Sequence, residues 1–437
     1  SREWCRGEVL LAKRAQRPIL VIDALSTRET RSFPYLGNVP VVHWDGDPHK
    51  PIDQLLKETL RIRHAELVLE RDAGPDDMLF TRPPELVTTA VLTEKPKAVL
   101  YPDPPLGVEE THALASIGVV ATTPLGRLAE QANVAGKRIA LSMSLSNDIH
   151  KFGFSPIHLR DAMLDLSRYL LISGATLVYG GHLRQEGYTI ALIELVRTHN
   201  QMEGVKPVER IQDYLAWPMT VTDAERSRLK EFAQIIRVPR PEGVDESVHP
   251  DFVEEPAPFD AETSPLHRYA WAKGMTNMRS VTALDQGIVA RIVLGGPTGP
   301  TMRTEPGKPA AQAWYASRIP GVLEEVLLAA QAHQPVFLIG AFGGVAALVM
   351  DVIDGRDREE MTWEYQRHAP HAEAMRQIYA DRHEQWIDYP EIAQELRAIG
   401  LEGLNPLLTE RQQRELFTTR DVNRMVELVL AGLAKVP

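Results

Sequence analysis

Glycine pairs follow several apolar, strand-like runs of this sequence, at a position typical of phosphate-binding sites. The pairs are Gly180-Gly181, Gly295-Gly296 and Gly343-Gly344, and the hydroxyl residues Ser142, Ser144 and Ser146 end a fourth run. In an open parallel sheet, ligands bind outside the carboxyl ends of the strands. Glycine lets the backbone approach a phosphate, and a following helix N-terminus offers N–H groups. Three pairs at one topological position favour a nucleotide pocket, whereas a tight strand–helix turn explains an isolated pair.

Cationic and acidic side chains near these runs are candidates for contacts with a nucleotide. Arg184 and Arg279 are candidates for a bidentate phosphate contact, with Lys308 in "EPGKPA" as a weaker third. The alternative for Arg184 is a solvated loop arginine. In "PGVLEE", Gly321 opens a helix and Glu324 is a candidate acceptor for ribose hydroxyls. Acidic residues in a first helical turn also stabilise the helix dipole, so both explanations remain open.

A tryptophan and a glutamate near the first residue have a spacing that places them on one helical face. They are Trp4 and Glu8 in "EWCRGEVLLAK". A carboxylate at such a position can stabilise the oxocarbenium charge that develops when an N-glycosidic bond breaks. Trp4 would line the pocket or hold the helix, and packing is its favoured role. Most pairs of this kind are structural, so the spacing alone leaves both readings open.

Composition limits the classes of protein to consider. With 437 residues the chain is long enough for two or three domains. A net charge of −11 argues against bulk nucleic-acid binding, which relies on basic patches. No apolar run reaches the roughly 18 residues of a membrane-spanning helix. The single cysteine, Cys5, excludes an intrachain disulfide and a cysteine-built metal site, and it fits a reducing cytoplasm.

Strand-like and helix-like runs alternate along the chain, which predicts an α/β fold with parallel sheets covered by helices. We divide the chain into residues 1–72, a connecting α/β segment at 73–136, and a large domain at 137–437. The stretch 237–265 is acidic and rich in proline, which predicts a surface loop.

The segment 137–437 resembles the SLOG family, the sensor relatives of the LOG and DprA nucleotide-binding Rossmann-like proteins. The resemblance rests on "IALSMSLSNDI", "GATLVYGGHLRQEGYT", "GMTNMRSVT", "PGVLEEVLLA", "PVFLIGAFGGVA" and the terminal "GLNPLLTERQQRELFTTRDVNRMVELVLAGL". It implies a Rossmann-like domain that binds a nucleotide signal, either ADP-ribose-like or cyclic.

One departure from the LOG pattern bears on chemistry. Hydrolytic LOG enzymes carry Pro-Gly-Gly-x-Gly-Thr-x-x-Glu. Aligned without gaps on "GVLEE", the Pro-Gly-Gly positions here are Ser317, Arg318 and Ile319, and Val322 replaces the threonine. This departure favours ligand sensing over phosphoribohydrolase chemistry. A SLOG nucleotide hydrolase stays as an alternative.

The segment 1–72 resembles the C-terminal half of a TIR domain, which is flavodoxin-like. "EWCRGEVLLAKRAQRPILVID" is similar to the Trp-x-x-x-Glu helix and following strand of TIR NADases, and "RSFPYLGNVPVVHW" follows it. The resemblance implies that Glu8 is the catalytic carboxylate that cleaves the nicotinamide–ribose bond of NAD. A complete TIR domain begins with a strand and loop that help to form the NAD pocket. We therefore expect the first half of the domain to precede Ser1.

Together the two resemblances imply a bacterial antiphage effector in the cytoplasm. Its TIR domain would hydrolyse NAD as substrate, without a cofactor or metal, under control of nucleotide binding to the SLOG domain. TIR sites of this kind usually need two protomers, so a homo-oligomer or filament is the expected active form. Membranes and nucleic acid are not expected partners. The alternative is a non-catalytic TIR scaffold that carries a nucleotide-binding SLOG module.

Overall fold

A computed structural model shows two compact units, residues 1–128 and 129–437. The structure describes residues 2–24, 37–90, 98–132, 134–180, 188–202, 210–219, 221–222, 226–227, 229–248, 261, 263–303 and 311–436. No helix within these ranges is long and apolar enough to cross a membrane.

The first unit begins with two helices and a short parallel strand pair. These elements are α1 (Arg2–Arg14), β1 (Val21–Asp23), β2 (Val41–His43) and α2 (His49–Asp72). Val21 lies opposite Val41 in the parallel register. On α2, one face is buried through Ile62 and Leu69, which are spaced by two turns.

The rest of the first unit is a second parallel sheet with its own core. Its elements are β3 (Asp77–Leu79), α3 (Leu86–Ala90), β4 (Ala98–Leu100), α4 (Val108–Ser116), β5 (Val120–Thr122) and α5 (Pro124–Ala132), and α5 runs past the boundary of the unit. The strands pair in the order β3-β4-β5, all parallel. Val99 and Leu114 lie in the core between the sheet and α4.

The second unit is built on a six-stranded parallel sheet. Its strands are β6 (Arg138–Ser144), β7 (Thr176–Tyr179), β8 (Ile211–Ala216), β9 (Ala233–Val238), β10 (Ile288–Gly295) and, after the antiparallel hairpin β11 (Thr301–Arg303) and β12 (Ala311–Ala313), β13 (Val336–Ile339). They pair in the order β13-β10-β6-β7-β8-β9. The predicted α/β fold with parallel sheets is confirmed.

Ten helices are described in the second unit. They are α6 (Pro156–Ile172), α7 (Tyr188–Met202), α8 (Pro265–Leu284), α9 (Gly321–Gln331), α10 (Gly344–Ile353), α11 (Trp363–Gln366), α12 (Ala372–Asp381), α13 (Tyr389–Leu404), α14 (Glu410–Thr418) and α15 (Val422–Leu433). Helix α8 packs along α9, and α9 also contacts β6 and β10. Leu323 and Val326 of α9 enter the core that also buries Leu338 and Val349.

The strand order creates a topological switch point beside β6. The chain first builds β7, β8 and β9 on one side of β6 and then returns to add β10 on the other side. At such a point the connections leave neighbouring strand ends in opposite directions and open a crevice at their carboxyl ends. In this unit the crevice lies where β6 ends at Ser144 and β10 ends at Gly295.

Candidate functional site

A cavity of about 420 Å³ opens at the carboxyl ends of β6 and β7. Its wall includes Ser144 at the end of β6, Tyr179 and Gly180 at the end of β7, Arg279 of α8 and Gly321 of α9. Four separate elements of the second unit therefore converge on one space. The volume is within the range of about 300–1,000 Å³ that is usual for small-molecule sites.

The start of α9 forms one wall of the cavity. Gly321 and Val322 line it, and the preceding Pro320 provides no side-chain hydrogen bond to the helix end. A Cβ atom on Gly321 would lie 2.4 Å from Nη2 of Arg279, so the guanidinium lies directly against the helix N-terminus. The first N–H groups of a helix and its positive dipole end attract anions. A guanidinium beside them adds a charged, bidentate donor.

Arg279 is held by carboxylates of the neighbouring helix. Its side chain is largely buried, and Nη1 donates to Oε2 of Glu324 at 2.6 Å and to Oγ of Ser317 at 3.2 Å. The Nε atom lies 3.5 Å from Oε1 of Glu325. Thr276 donates from Oγ1 to the second oxygen of Glu324 at 2.7 Å. Glu324 is thus enclosed behind the wall, whereas Glu325 lines the cavity itself.

A second buried arginine lies in the sheet behind Glu325. Arg291 of β10 donates from Nη1 to Oγ of Ser142 at 2.8 Å and approaches Oε2 of Glu325 at 3.3 Å. Its Nε donates to Gln334, and Nη2 donates to Thr282. Burial lowers the pKa of Arg291 from its usual value, and the nearby Glu325 opposes that effect. The group stays cationic because an arginine pKa starts far above neutrality.

Much of the remaining cavity lining is apolar and aromatic. Its lining includes Met143, Met219, Trp271, Met275, Met278 and Tyr188. Methionine and aromatic side chains adapt to flat, polarizable surfaces such as a base. Burial, with the nearby Glu325, raises the pKa of Tyr179 well above its usual value, so its phenol remains a neutral donor at physiological pH.

The two downstream glycine pairs pack against each other. The carbonyl oxygen of Gly296 accepts from the N–H of Val345 at 2.9 Å, and a Cβ atom on Gly344 would lie 2.1 Å from that oxygen. The N–H of Gly344 donates to Oδ1 of Asp148 at 2.9 Å, so a protein carboxylate occupies this helix end. Glycine is required here because the loop after β10 crosses the start of α10 at backbone contact distance.

Replacing Gly344 by alanine is expected to lower the free energy of unfolding by about 3 kcal/mol or more. Left-handed backbone alone costs an L-residue about 1–2 kcal/mol, and the overlap with the Gly296 oxygen adds to it. Gly344 has φ +63°. Urea unfolding measures the loss. Gly355→Ala is the matched control, because Gly355 has φ +82° with open space around its Cβ position. Equal losses in the two variants would contradict the predicted overlap.

Comparison with known proteins identifies the family of the second unit. The sequence family described as SLOG cluster2 matches residues 133–416. The chain belongs to this SLOG family. A comparison with curated proteins found no match. The described cavity-lining residues lie between Leu141 and Glu325 and are therefore all within the matched SLOG domain.

The SLOG cavity collects some of the residues that the sequence singles out. Ser144, Gly180, Arg279 and Gly321 line it. Behind its wall lie Ser142, bonded to Arg291, and Glu324, bonded to Arg279. The remaining candidates in the SLOG domain are Gly295, Gly296, Gly343 and Gly344, which pack at the neighbouring loop crossing, and Gly181 and Arg184, which lie outside the described residues, as does Lys308. Their assignment to a ligand stays a prediction.

Of the acidic pair, the sequence predicts Glu324 as the ligand contact, whereas Glu325 is the residue that lines the cavity. The gapless alignment contains the signal, because the last glutamate of Pro-Gly-Gly-x-Gly-Thr-x-x-Glu falls on Glu325. The methionines and Trp271 carry no local motif that marks a ligand site, since they also read as core positions. Among the described residues, no group of three or more His, Cys, Asp or Glu side chains is arranged to hold a metal ion.

The first unit exposes its two candidate catalytic residues. Trp4 and Glu8 are both exposed on α1, with the Trp4 side chain 80% accessible. The packing role favoured for Trp4 is therefore not observed, because the described segments leave that face of α1 uncovered. The indole and the carboxylate remain on the same side of the helix, one turn apart.

Proposed function

We propose that the SLOG domain binds a nucleotide signal in the cavity at the carboxyl ends of β6 and β7. The observation that carries the proposal is the position of Arg279 against the start of α9, in a space that methionine and aromatic side chains also line. The ligand's phosphate lies at the helix N-terminus and the guanidinium. Its base lies against the methionines and Trp271. Glu325, which also lines the cavity, accepts from ribose hydroxyls.

The ligand class is an ADP-ribose-like or cyclic nucleotide. The cavity combines one anion subsite with one apolar subsite, and nucleotides carry both an anionic and a planar apolar group. The neutral phenol of Tyr179 and the carboxylate of Glu325 add a donor and an acceptor to the cavity wall. This combination favours a ribose-containing ligand over a free phosphate or a free base.

Gly321→Ala is expected to weaken ADP-ribose binding about tenfold, measured by titration calorimetry. The new Cβ occupies the point 2.4 Å from Nη2 of Arg279, which displaces the guanidinium from the helix end. Loss of one charge-assisted contact corresponds to about 1.4 kcal/mol or more. Gly403→Ala is the control, since Gly403 lies inside α13 and its Cβ would meet Ile399 of the same helix at 3.1 Å. Unchanged affinity of Gly321→Ala would remove the start of α9 from the site.

For the first unit we propose NAD glycohydrolase activity, with Glu8 as the catalytic carboxylate and Trp4 beside it. The proposal rests on the resemblance of residues 1–72 to a TIR domain and on the exposure of both side chains on one face of α1. An exposed carboxylate needs a second surface to form a pocket, and a second protomer supplies it in an oligomer or filament. A nucleotide that binds the assembled state more tightly shifts the population toward it. The setting is cytoplasmic bacterial antiphage defence.

A hydrolytic SLOG domain is the second candidate function, favoured by one observation. Glu325 lines the cavity at the position of the LOG glutamate. Val322 in place of the threonine weighs against it. Chromatography of AMP incubated with the protein distinguishes the two: released adenine supports hydrolysis, whereas intact AMP supports sensing. A non-catalytic TIR scaffold would leave NAD intact as well, whatever nucleotide is added.

A further inference from the structure

Five charged side chains, of which Arg279 and Glu325 line the cavity and three lie behind its wall, form one line of alternating sign. The order of contacts is Arg291, Glu325, Arg279, Glu324 and Arg318. The joining distances are 3.3 Å from Arg291 Nη1 to Glu325, 3.5 Å and 2.6 Å from Arg279 to the two glutamates, and 3.7 Å from Arg318 Nη2 to Glu324. Three cations therefore alternate with two carboxylates, and an arginine stands at each end.

The central arginine is the one that reaches the cavity. Arg279 lines it, whereas Arg291 lies in the sheet and Arg318 lies over the ring of Tyr379, with its guanidinium carbon 5.7 Å from the centroid. Each glutamate thus has two arginine neighbours, one of which does not line the cavity. A buried carboxylate that loses its last cationic partner is strongly destabilised, so this duplication has a consequence for ligand binding.

We propose that Arg291 and Arg318 are positioning residues that leave Arg279 available to an anionic ligand. When a phosphate binds Arg279, Glu325 remains paired with Arg291, and Glu324 remains paired with Arg318. Neither carboxylate is then left without a cationic partner. The line also carries one positive charge in excess, which the anion neutralises. This inference rests on the proposed nucleotide site, and it adds two residues that need not touch the ligand.

The position of Arg291 supports a role beyond holding helices to the sheet. It interrupts "IVARIVLG", a strand whose other residues are small or apolar and almost all buried. Hydrophobic residues of similar volume usually replace a buried ion pair at no loss of stability. Arg318 lies in the loop before α9, with its side chain 24% exposed. A shared positioning role for the two terminal residues of the line explains why each of them is an arginine.

The test is a set of double-mutant cycles on the full chain, read by calorimetry with ADP-ribose and with inorganic pyrophosphate. Arg291→Met should weaken binding about tenfold or more in the wild-type background, because Glu325 then captures Arg279. In a Glu325→Gln background the same substitution should change affinity less than about threefold. Arg318→Met should behave in the same way with Glu324→Gln. The crossed combination, Arg291→Met with Glu324→Gln, should keep the tenfold loss.

The outcomes separate the inference from the proposed function. Equal losses in matched and crossed backgrounds would mean that the arginines act through overall charge, which overturns the positioning role. If both Met variants bind with wild-type affinity, the positioning role is also overturned, but the proposed nucleotide site is not. If wild type binds pyrophosphate but not ADP-ribose, the nucleotide assignment fails and the pyrophosphate cycles decide the inference. If wild type binds neither pyrophosphate nor ADP-ribose, the proposed nucleotide site and the positioning role are both wrong. Should Arg291→Met not fold, the Arg318 cycle decides.

Discussion

Replacing Glu8 by glutamine is expected to lower NAD cleavage about a thousandfold or more, with oligomer formation unchanged. Glutamine keeps the size of the side chain but removes the negative charge that would stabilise the oxocarbenium ion. Because Glu8 is exposed on α1 and glutamine has a similar helix propensity, the free energy of unfolding should change by less than about 0.5 kcal/mol. The measurement is release of free nicotinamide from NAD by the protein, with ADP-ribose or cyclic nucleotides added to drive assembly.

The control for this prediction is Glu70→Gln, which makes the same change at an exposed glutamate of α2. It should retain NAD cleavage. Trp4→Ala adds a second test of the same face: a several-fold loss of cleavage without loss of stability fits an indole that borders the pocket, since its side chain makes little contact within the described unit. Persistent cleavage in Glu8→Gln would assign catalysis elsewhere, and absence of cleavage in every nucleotide condition would favour the scaffold alternative.

The sheet architecture follows from local pattern. Buried parallel strands read as short apolar runs, and "KRIALSMS", "DQGIVARIVLGG" and "QPVFLIG" each correspond to a strand of the six-stranded sheet. The strand order does not follow from such runs. It depends on which side of β6 each later strand joins, and that choice is made by tertiary packing of the helices between them.

The candidate site is less accessible to sequence reasoning, and the reason lies in sequence separation. Arg279 and Glu324 are 45 positions apart, and Arg291 and Ser142 are 149 apart. No periodicity connects such pairs. An arginine inside an apolar strand is visible in the sequence, yet its partners appear only when α8 and α9 are packed on the sheet.

The glycine pairs show how one pattern can have two physical causes. Gly180 lines the cavity, as expected of a residue that gives a ligand access to the backbone. Gly296 and Gly344 instead allow two backbone segments to cross. Both situations require a residue without a Cβ, so the sequence cannot separate them. The carboxylate of Asp148 accepts from the N–H of Gly344, the first residue of α10, and this contact distinguishes the crossing from an open anion site.

Arg279→Ala is expected to weaken ADP-ribose binding at least about a hundredfold, because it removes the only cation among the described cavity-lining residues. A bidentate contact with a phosphate in a partly buried site contributes about 3 kcal/mol, which corresponds to this factor. Arg279→Lys should lose about tenfold, since an ammonium keeps the charge but not the planar fork. Calorimetry at two salt concentrations measures both variants, and the wild-type affinity should fall with added salt more steeply than that of Arg279→Ala.

Stability must be separated from binding in this variant, and the line of alternating charges makes that possible. Without Arg279, Glu325 remains paired with Arg291. Glu324 remains paired with Arg318 and still accepts a hydrogen bond from Thr276. The decrease in the free energy of unfolding should therefore be smaller than the roughly 3–5 kcal/mol expected when a buried pair is fully broken. Arg356→Ala, an exposed arginine paired with Asp354 at 3.0 Å, is the control and should bind ADP-ribose as wild type does. If Arg279→Ala also binds normally while remaining folded, the phosphate does not lie at the start of α9, and the cavity holds its ligand without this guanidinium.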